Sequence, residues 1–405
     1  MSYGWRVVGG SFVSQGFVVG FFTYAVSLLT QPVQETFNVS IEMVMYGLTL
    51  GTLVGLFAMP IIGSLLDKFS VRKLFVLGVV IFAVGLWLLA QTTSIYQYIA
   101  IFGVTMALVN ALAGAMISSA VVSRWFSENR GKALGVASIG TSVGGVVIPG
   151  LITFWLPDYG WRGAVENLAI VIIVFVLPFM IWSIRSWPSE VSIDDSSTAV
   201  ETSSVATSAP FTAKQIISSP NFWWLGIALG LLFSSYTAIL SNLTPYAAQL
   251  GLGETSASAL IMIIAVSGLI GKLLFGAAAD MLNQKVALWA AQCLLVIAFV
   301  LFAIEPPYVL VVAACISMGL AAGGMLPVWG SLIANIFGLH SYGLAFGLMG
   351  PIITLFVMVG FPLVGRLYDV TGSFSLGLWI SAGLMFVSAI FLTPVRLSAE
   401  PVKEQ

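Results

Sequence analysis

Long apolar runs separated by short polar breaks fill the chain from end to end. Windowed hydropathy predicts twelve spans: near 6–29, 41–62, 74–92, 97–122, 133–156 and 163–185, then 221–245, 256–279, 286–304, 308–334, 343–367 and 375–394. These runs have about the length that crosses a bilayer as a helix. The one long polar stretch, Ser186–Pro220, is rich in Ser and Thr and acidic at Glu190, Asp194, Asp195 and Glu201. It has too little apolar surface to bury and reads as a solvated linker. The expected architecture is an all-α integral membrane protein of two six-helix bundles, residues 1–185 and 221–405 with a short tail, joined by a cytoplasmic linker over 186–220.

The two halves repeat. Gly63-x-x-x-Asp67 recurs as Gly276-x-x-x-Asp280, and Pro32, ending the first span, recurs as Pro245, both 213 positions on. Gly131-x-x-x-Gly135 recurs as Gly343-x-x-x-Gly347 at a spacing of 212. Duplicated halves with a binding site between them near the midplane are a secondary-transporter plan.

Composition removes other classes. Of 405 residues, 59% are hydrophobic and 8% charged, with mean hydropathy +1.05, which no soluble globular domain matches. A net charge of -1 without a basic patch gives nucleic acid nothing to bind. Cys293 and Cys315 both fall inside apolar runs and are expected to be reduced core residues, with no disulfide or metal framework. There is no metal-ligand cluster, phosphate-cradling glycine loop or nucleophile–base pair, so neither an enzyme, a cofactor nor an ATP-driven pump is expected.

Charge placement orients the chain. Twelve of the 15 Lys and Arg fall on the side of both termini, and only Arg162 and Arg366 on the other. Positive charge collects inside, so both termini are expected in the cytoplasm of a multi-pass cell-membrane protein, of bacterial inner-membrane type. The opening MSYGWRVVGGSF leads into the first span without a small-residue cleavage site and reads as a retained helix.

The fifteenth cation, Lys272, lies within the apolar stretch Ser256–Asp280. It is roughly 12 Å before Asp280 along a helix, where an ammonium costs about 2.5–3.5 kcal/mol to insert. Such residues face a protein interior or a watery cavity; the plainer alternative is that the side chain snorkels to the headgroups. Under the repeat, Lys272 falls opposite Met59. It belongs to one half only, which makes it a poor scaffold residue.

The loop Gly63-Ser-Leu-Leu-Asp67-Lys68-Phe-Ser-Val-Arg72-Lys73 resembles the signature loop of the major facilitator superfamily. The resemblance implies gating roles for Gly63, Asp67, Arg72, Gly276 and Asp280, and for Arg124 and Arg130 of the loop after span four. Asp67 would pair with cations or helix ends of the neighbouring bundle and latch the inner side. Three segments are further similar to the monocarboxylate transporter and oxalate/formate exchanger group. They are Tyr3-Gly4-Trp5-Arg6-Val7, Arg124-Trp125-Phe126 through Arg130-Gly131-Lys132-Ala133-Leu134-Gly135, and Gly360-Phe-Pro362 through Asp369-Val-Thr-Gly372.

In that group a cation in span eight binds the substrate carboxylate, and Lys272 occupies the matching position, where the group more often has Arg. Lys offers a point charge in place of a planar fork. Gly268 stands where some members have an acidic or polar residue, and Thr23 and Met349 stand where some have a second cation. A monoanion is therefore expected over a dianion such as oxalate. An unpaired ammonium is costly in the membrane, so an arriving carboxylate would stabilise it, and anion and proton would bind as a pair.

Other candidate substrate contacts are Asn242, Tyr24, Asn110, Ser142, Tyr236 and Trp329. Each has a plainer reading as interhelical hydrogen bonding or packing. The expectation is a carrier of a lactate- or pyruvate-like monocarboxylate with a proton, by alternating access. An exchanger or exporter of other organic anions or amphipathic compounds is the alternative. A sensor would want a larger soluble domain, and a channel fits duplicated halves with one asymmetric cation poorly.

Overall fold

The computed structural model describes residues 3–65, 70–126, 130–184, 211–281, 283–338 and 341–397, and these are helical with no strand among them. Eleven helical stretches are long and apolar enough to cross a membrane. One of them, Lys132–Ser183, has 52 residues, about 78 Å if straight and far more than one crossing needs. It is broken at Gly160, whose φ of 63° and ψ of -178° are open essentially to glycine alone. The stretch is two helices hinged there, so the described residues hold twelve spans.

The spans are α1 (Tyr3–Phe37), α2 (Ile41–Leu65), α3 (Val71–Ala90), α4 (Ile95–Ala113 continued by Ala115–Trp125), α5 (130–159) and α6 (161–183). The second bundle holds α7 (Pro220–Ser241 continued by Leu243–Gln249), α8 (Glu254–Met281), α9 (Gln284–Ala303), α10 (Tyr308–Phe337), α11 (Tyr342–Thr371) and α12 (Ser375–Leu392). An even number of crossings puts the start of α1 and the end of α12 on one face, called terminal below; the other is distal. Large apolar side chains such as Phe57, Trp87, Phe154, Phe175, Val309 and Ile390 point outward. Lipid, not water, is the solvent they fit.

Several details differ from the sequence expectation. The first span does not end at Pro32: its helix runs on to Phe37 and stops at left-handed Asn38. The predicted linker closes in a short helix, Ala213–Ser218, whose Thr212 and Gln215 form a reciprocal capping box. Residues 185–210 lie outside the described set. Cys315 is buried as expected, but Cys293 is exposed, because α9 turns one apolar side outward. Periodicity in a run that is apolar all round does not say which side meets lipid.

Small residues set the helix spacing. A Cβ on Gly140 or Gly144 of α5 would collide with the backbone of Phe12 or Gly16 on α1. In the second half, Gly271 of α8 and Gly323 of α10 stand equally close to the backbones of Leu320 and Gly268. Close backbone approach of this kind is how helices associate in lipid, where water provides no hydrophobic drive between them.

The distal ends of the two halves are joined. The Asp369 carboxylate at the end of α11 accepts from the amides of Ile41 (3.2 Å) and Glu42 (3.0 Å), the first residues of α2. Gly365 lies against the same turn, and Arg366 pairs with Glu42 at 3.6 Å. Further in, the Ser27 hydroxyl of α1 donates to the Thr244 hydroxyl (3.2 Å) and accepts from the Thr244 amide (2.9 Å).

Candidate functional site

Lys272 reaches from α8 to α5, that is, from one half to the other. Its half-buried Nζ donates to the Ser138 carbonyl (3.1 Å) and to the Ser142 hydroxyl (3.3 Å). Two of the three ammonium donors are thus engaged by neutral acceptors, leaving the third. Among the described residues no carboxylate pairs with it. The side chain therefore points between the bundles and does not run along the lipid face.

Tyr24 and Tyr236 stand about one helical turn from Lys272. Tyr24 is on α1 and Tyr236 on α7, so the two meet across the molecule from different halves. Their hydroxyls come close enough to interact, and both side chains are buried. Tyr24 sits in a π-helical turn, Phe21–Ala25, the second of two in α1. Such turns add a residue and re-aim side chains, and they recur at functional sites. The Tyr24 oxygen lies 3.8 Å from where a Cβ on Gly268 would stand. Gly268 is one turn before Lys272 and on the same face of α8. The bare glycine leaves Tyr24 room against α8, one turn before the lysine.

Lys272 with Ser142, and Tyr24 with Tyr236, thus form two groups about one helical turn apart between the halves. The other three candidate contacts lie elsewhere. Asn242 marks the break in α7 and is 1% exposed; its amide donates to the Ala238 carbonyl (2.9 Å), and its Oδ1 has no protein partner. Asn110 donates back to the Met106 carbonyl at 3.0 Å, one turn before the interruption of α4 at Gly114. Trp329 stacks on Phe346 (4.1 Å, 16°) and meets Phe233 edge-on (5.7 Å), with its buried Nε1 unpartnered.

Of the expected gating residues, Asp67 lies outside the described residues, as do the side-chain surroundings of Gly63, Gly276, Asp280, Arg124 and Arg130. Arg72 is exposed at the start of α3 and lines an outer groove. Sequence reasoning passed over two participants. The Ser138 acceptor is a backbone carbonyl, which no residue type announces. The distal cap by Asp369 joins residues more than 300 positions apart.

The sequence profile of the Major Facilitator Superfamily matches residues 12–319. The chain belongs to the Major Facilitator Superfamily. Among its major facilitator relatives, Monocarboxylate transporter 13 of Rattus norvegicus is 24% identical over 96% of this chain and 89% of the relative. The Agnestins efflux protein AgnL12 of Paecilomyces divaricatus is 25% identical over 83% and 73%. The solved nucleoside transporter NupG, in a point-mutant form, superposes with a TM-score of 0.75 over 97% of this chain and all of that one, at 13% identity. That identity supports the shared fold alone. The chain is thus a multi-pass membrane transporter of this superfamily.

Proposed function

We propose that this major facilitator carries a small organic monocarboxylate of lactate or pyruvate size, together with a proton, by alternating access. The observation that carries the reading is Lys272: an ammonium held between the halves by a carbonyl and a hydroxyl, with no carboxylate partner among the described residues. An arriving carboxylate adds the attraction of a full opposite charge to a cation otherwise held only by neutral acceptors. Ser142 adds a hydroxyl at the same place, and the tyrosine pair stands about one helical turn away. Lysine and carboxylate together carry no net charge, so a proton taken up on Lys272 travels with the anion. The bundles at 1–185 and 221–405 rock about this locus, and 186–220 joins them. The likeness to a monocarboxylate transporter supports the reading.

The terminal face supports a cytoplasmic assignment. Arg6, Arg72, Lys73, Lys132, Lys214, Lys285 and Arg396 are described there, whereas Glu35, Glu42, Asp158, Glu166, Glu254, Glu305 and Asp369 are distal.

Transport in proteoliposomes under an imposed pH gradient tests the function, with lactate, pyruvate, formate, oxalate and larger aromatic acids as the panel. A gradient acid outside is expected to drive monocarboxylate uptake, and the reverse gradient its efflux. Lys272→Gln should lose transport, and Lys272→Arg should keep binding with altered proton coupling. Full proton-coupled uptake by Lys272→Gln refutes the reading. A second reading, export of amphipathic or aromatic compounds, is favoured by the Phe233–Trp329–Phe346 stack and by the efflux relative. It predicts efflux of such compounds that survives Lys272→Gln.

A further inference from the structure

On the outer surface of the first half, at the terminal end of α1, α3 and α6, lies a groove of about 620 Å³ lined by Tyr3, Arg72, Leu177, Pro178, Ile181 and Trp182. The local sequence opens it. A π-helical turn, Ile172–Val176, followed by Pro178, re-aims the last turns of α6. Gly10 packs against Ser183 and Ile184, which holds the end of α6 to α1. The Tyr3 hydroxyl donates to the Trp182 carbonyl at 3.4 Å.

Two cations serve this groove. Arg72 lines it directly, and the Arg6 guanidinium lies 5.2 Å from the Trp182 ring and 5.6 Å from the Tyr3 ring. Both are exposed, as is Trp182. The groove sits at the ends of three spans, the depth of the headgroups, where Trp and Tyr gather. Leu177, Pro178 and Ile181 run from the arginines toward the membrane interior as an apolar wall.

We infer that this groove holds an anionic phospholipid, its phosphate on Arg6 and Arg72 and an acyl chain along Leu177–Ile181. Arginine forks match phosphate oxygens in pairs, and basic pockets between spans on the basic side of a membrane protein select anionic headgroups. A free anion would use the arginines but not the apolar wall. A neutral lipid would use the wall but not the arginines. Only a molecule with both parts satisfies the groove, and it lies outside the transport locus, so the assignment is independent of the cargo.

The test is native mass spectrometry of the full-length carrier titrated with phosphatidylglycerol, phosphatidylcholine or inorganic phosphate. Wild type is expected to retain phosphatidylglycerol in preference to phosphatidylcholine. Arg6→Gln and Arg72→Gln should each weaken that retention about fivefold, and Arg6→Lys and Arg72→Lys should weaken it less, keeping the charge but losing the fork. Ile181→Asp should weaken it with both arginines intact. The inference is overturned if the Arg6→Gln, Arg72→Gln double variant retains phosphatidylglycerol like wild type, or if inorganic phosphate displaces the lipid at equal concentration. It is equally overturned if retention appears only once Glu190, Asp194, Asp195 and Glu201 are neutralised, since the acidic linker would then be the occupant.

Discussion

Removing the carboxylate of Asp369 should loosen the distal side by a calculable amount. Two helix-start amides, of Ile41 and Glu42, donate to its two oxygens at 3.2 and 3.0 Å, so the residue of one half caps a helix of the other. Losing a cap costs about 1 kcal/mol, and a negative charge at a helix start adds about 0.3–1 kcal/mol. Asp369 is exposed, so the lower part of that range applies to the charge. Arg366–Glu42, with an arginine 68% exposed, contributes little by itself. A total near 1.5 kcal/mol corresponds to about a tenfold fall in the ratio of distal-closed to distal-open carrier for Asp369→Ala. Asp369→Asn keeps one acceptor oxygen and should shift the ratio by about threefold.

Spin labels at Thr93 and Thr255, exposed distal positions of the two halves, would report the populations by pulsed dipolar spectroscopy. Cys293 and Cys315 would first be replaced by Ser. An Asp369→Ala protein that folds and keeps the wild-type distance distribution within twofold would refute the reasoning.

Other outcomes follow from the same contacts. Tyr24→Phe removes one of two facing hydroxyls, a contact worth about 0.5–1.5 kcal/mol if it is made in the transport step; initial uptake rates should then fall about two- to tenfold, with Tyr236→Phe similar. Gly144→Ala, whose Cβ collides with the Gly16 backbone, should lower the Tm in a fluorescence melt, whereas Gly135→Ala, with nothing within 4 Å, should leave it unchanged. Gly160→Ala forces an L-residue into a glycine-only conformation at a cost of about 1–3 kcal/mol, read as a lower Tm and lower membrane yield.

The span count, the duplicated halves and the singular cation could all be read from the chain, because each rests on a signal stronger than local context. Apolar length marks a crossing, an offset marks duplication, and a Lys amid apolar residues marks itself. The meeting of Tyr24 with Tyr236 was not written in that offset, which sets Tyr24 opposite Thr237. What stayed hidden depended on rotation and on backbone. Cys293 and Cys315 sit in equally apolar runs, yet one is exposed and the other buried. The break at Asn242 and the continuation of α1 past Pro32 are set by tertiary packing, which overrides residue preference.

Lys272 has a consequence for the electrical behaviour of the carrier. Every other described Lys, Arg, Asp and Glu lies near a helix end or beyond it, at the edges of the transmembrane field. A charge carried the full way across feels about 2.3 kcal/mol per 100 mV, while charges anchored at the rims feel almost no change as the halves rock. Voltage sensitivity therefore concentrates on one nitrogen. Once a carboxylate neutralises it, the loaded step becomes indifferent to potential, and the unladen protein is equally so when its proton has left with the cargo; voltage dependence of the cycle therefore measures how much of the carrier returns with that nitrogen still protonated.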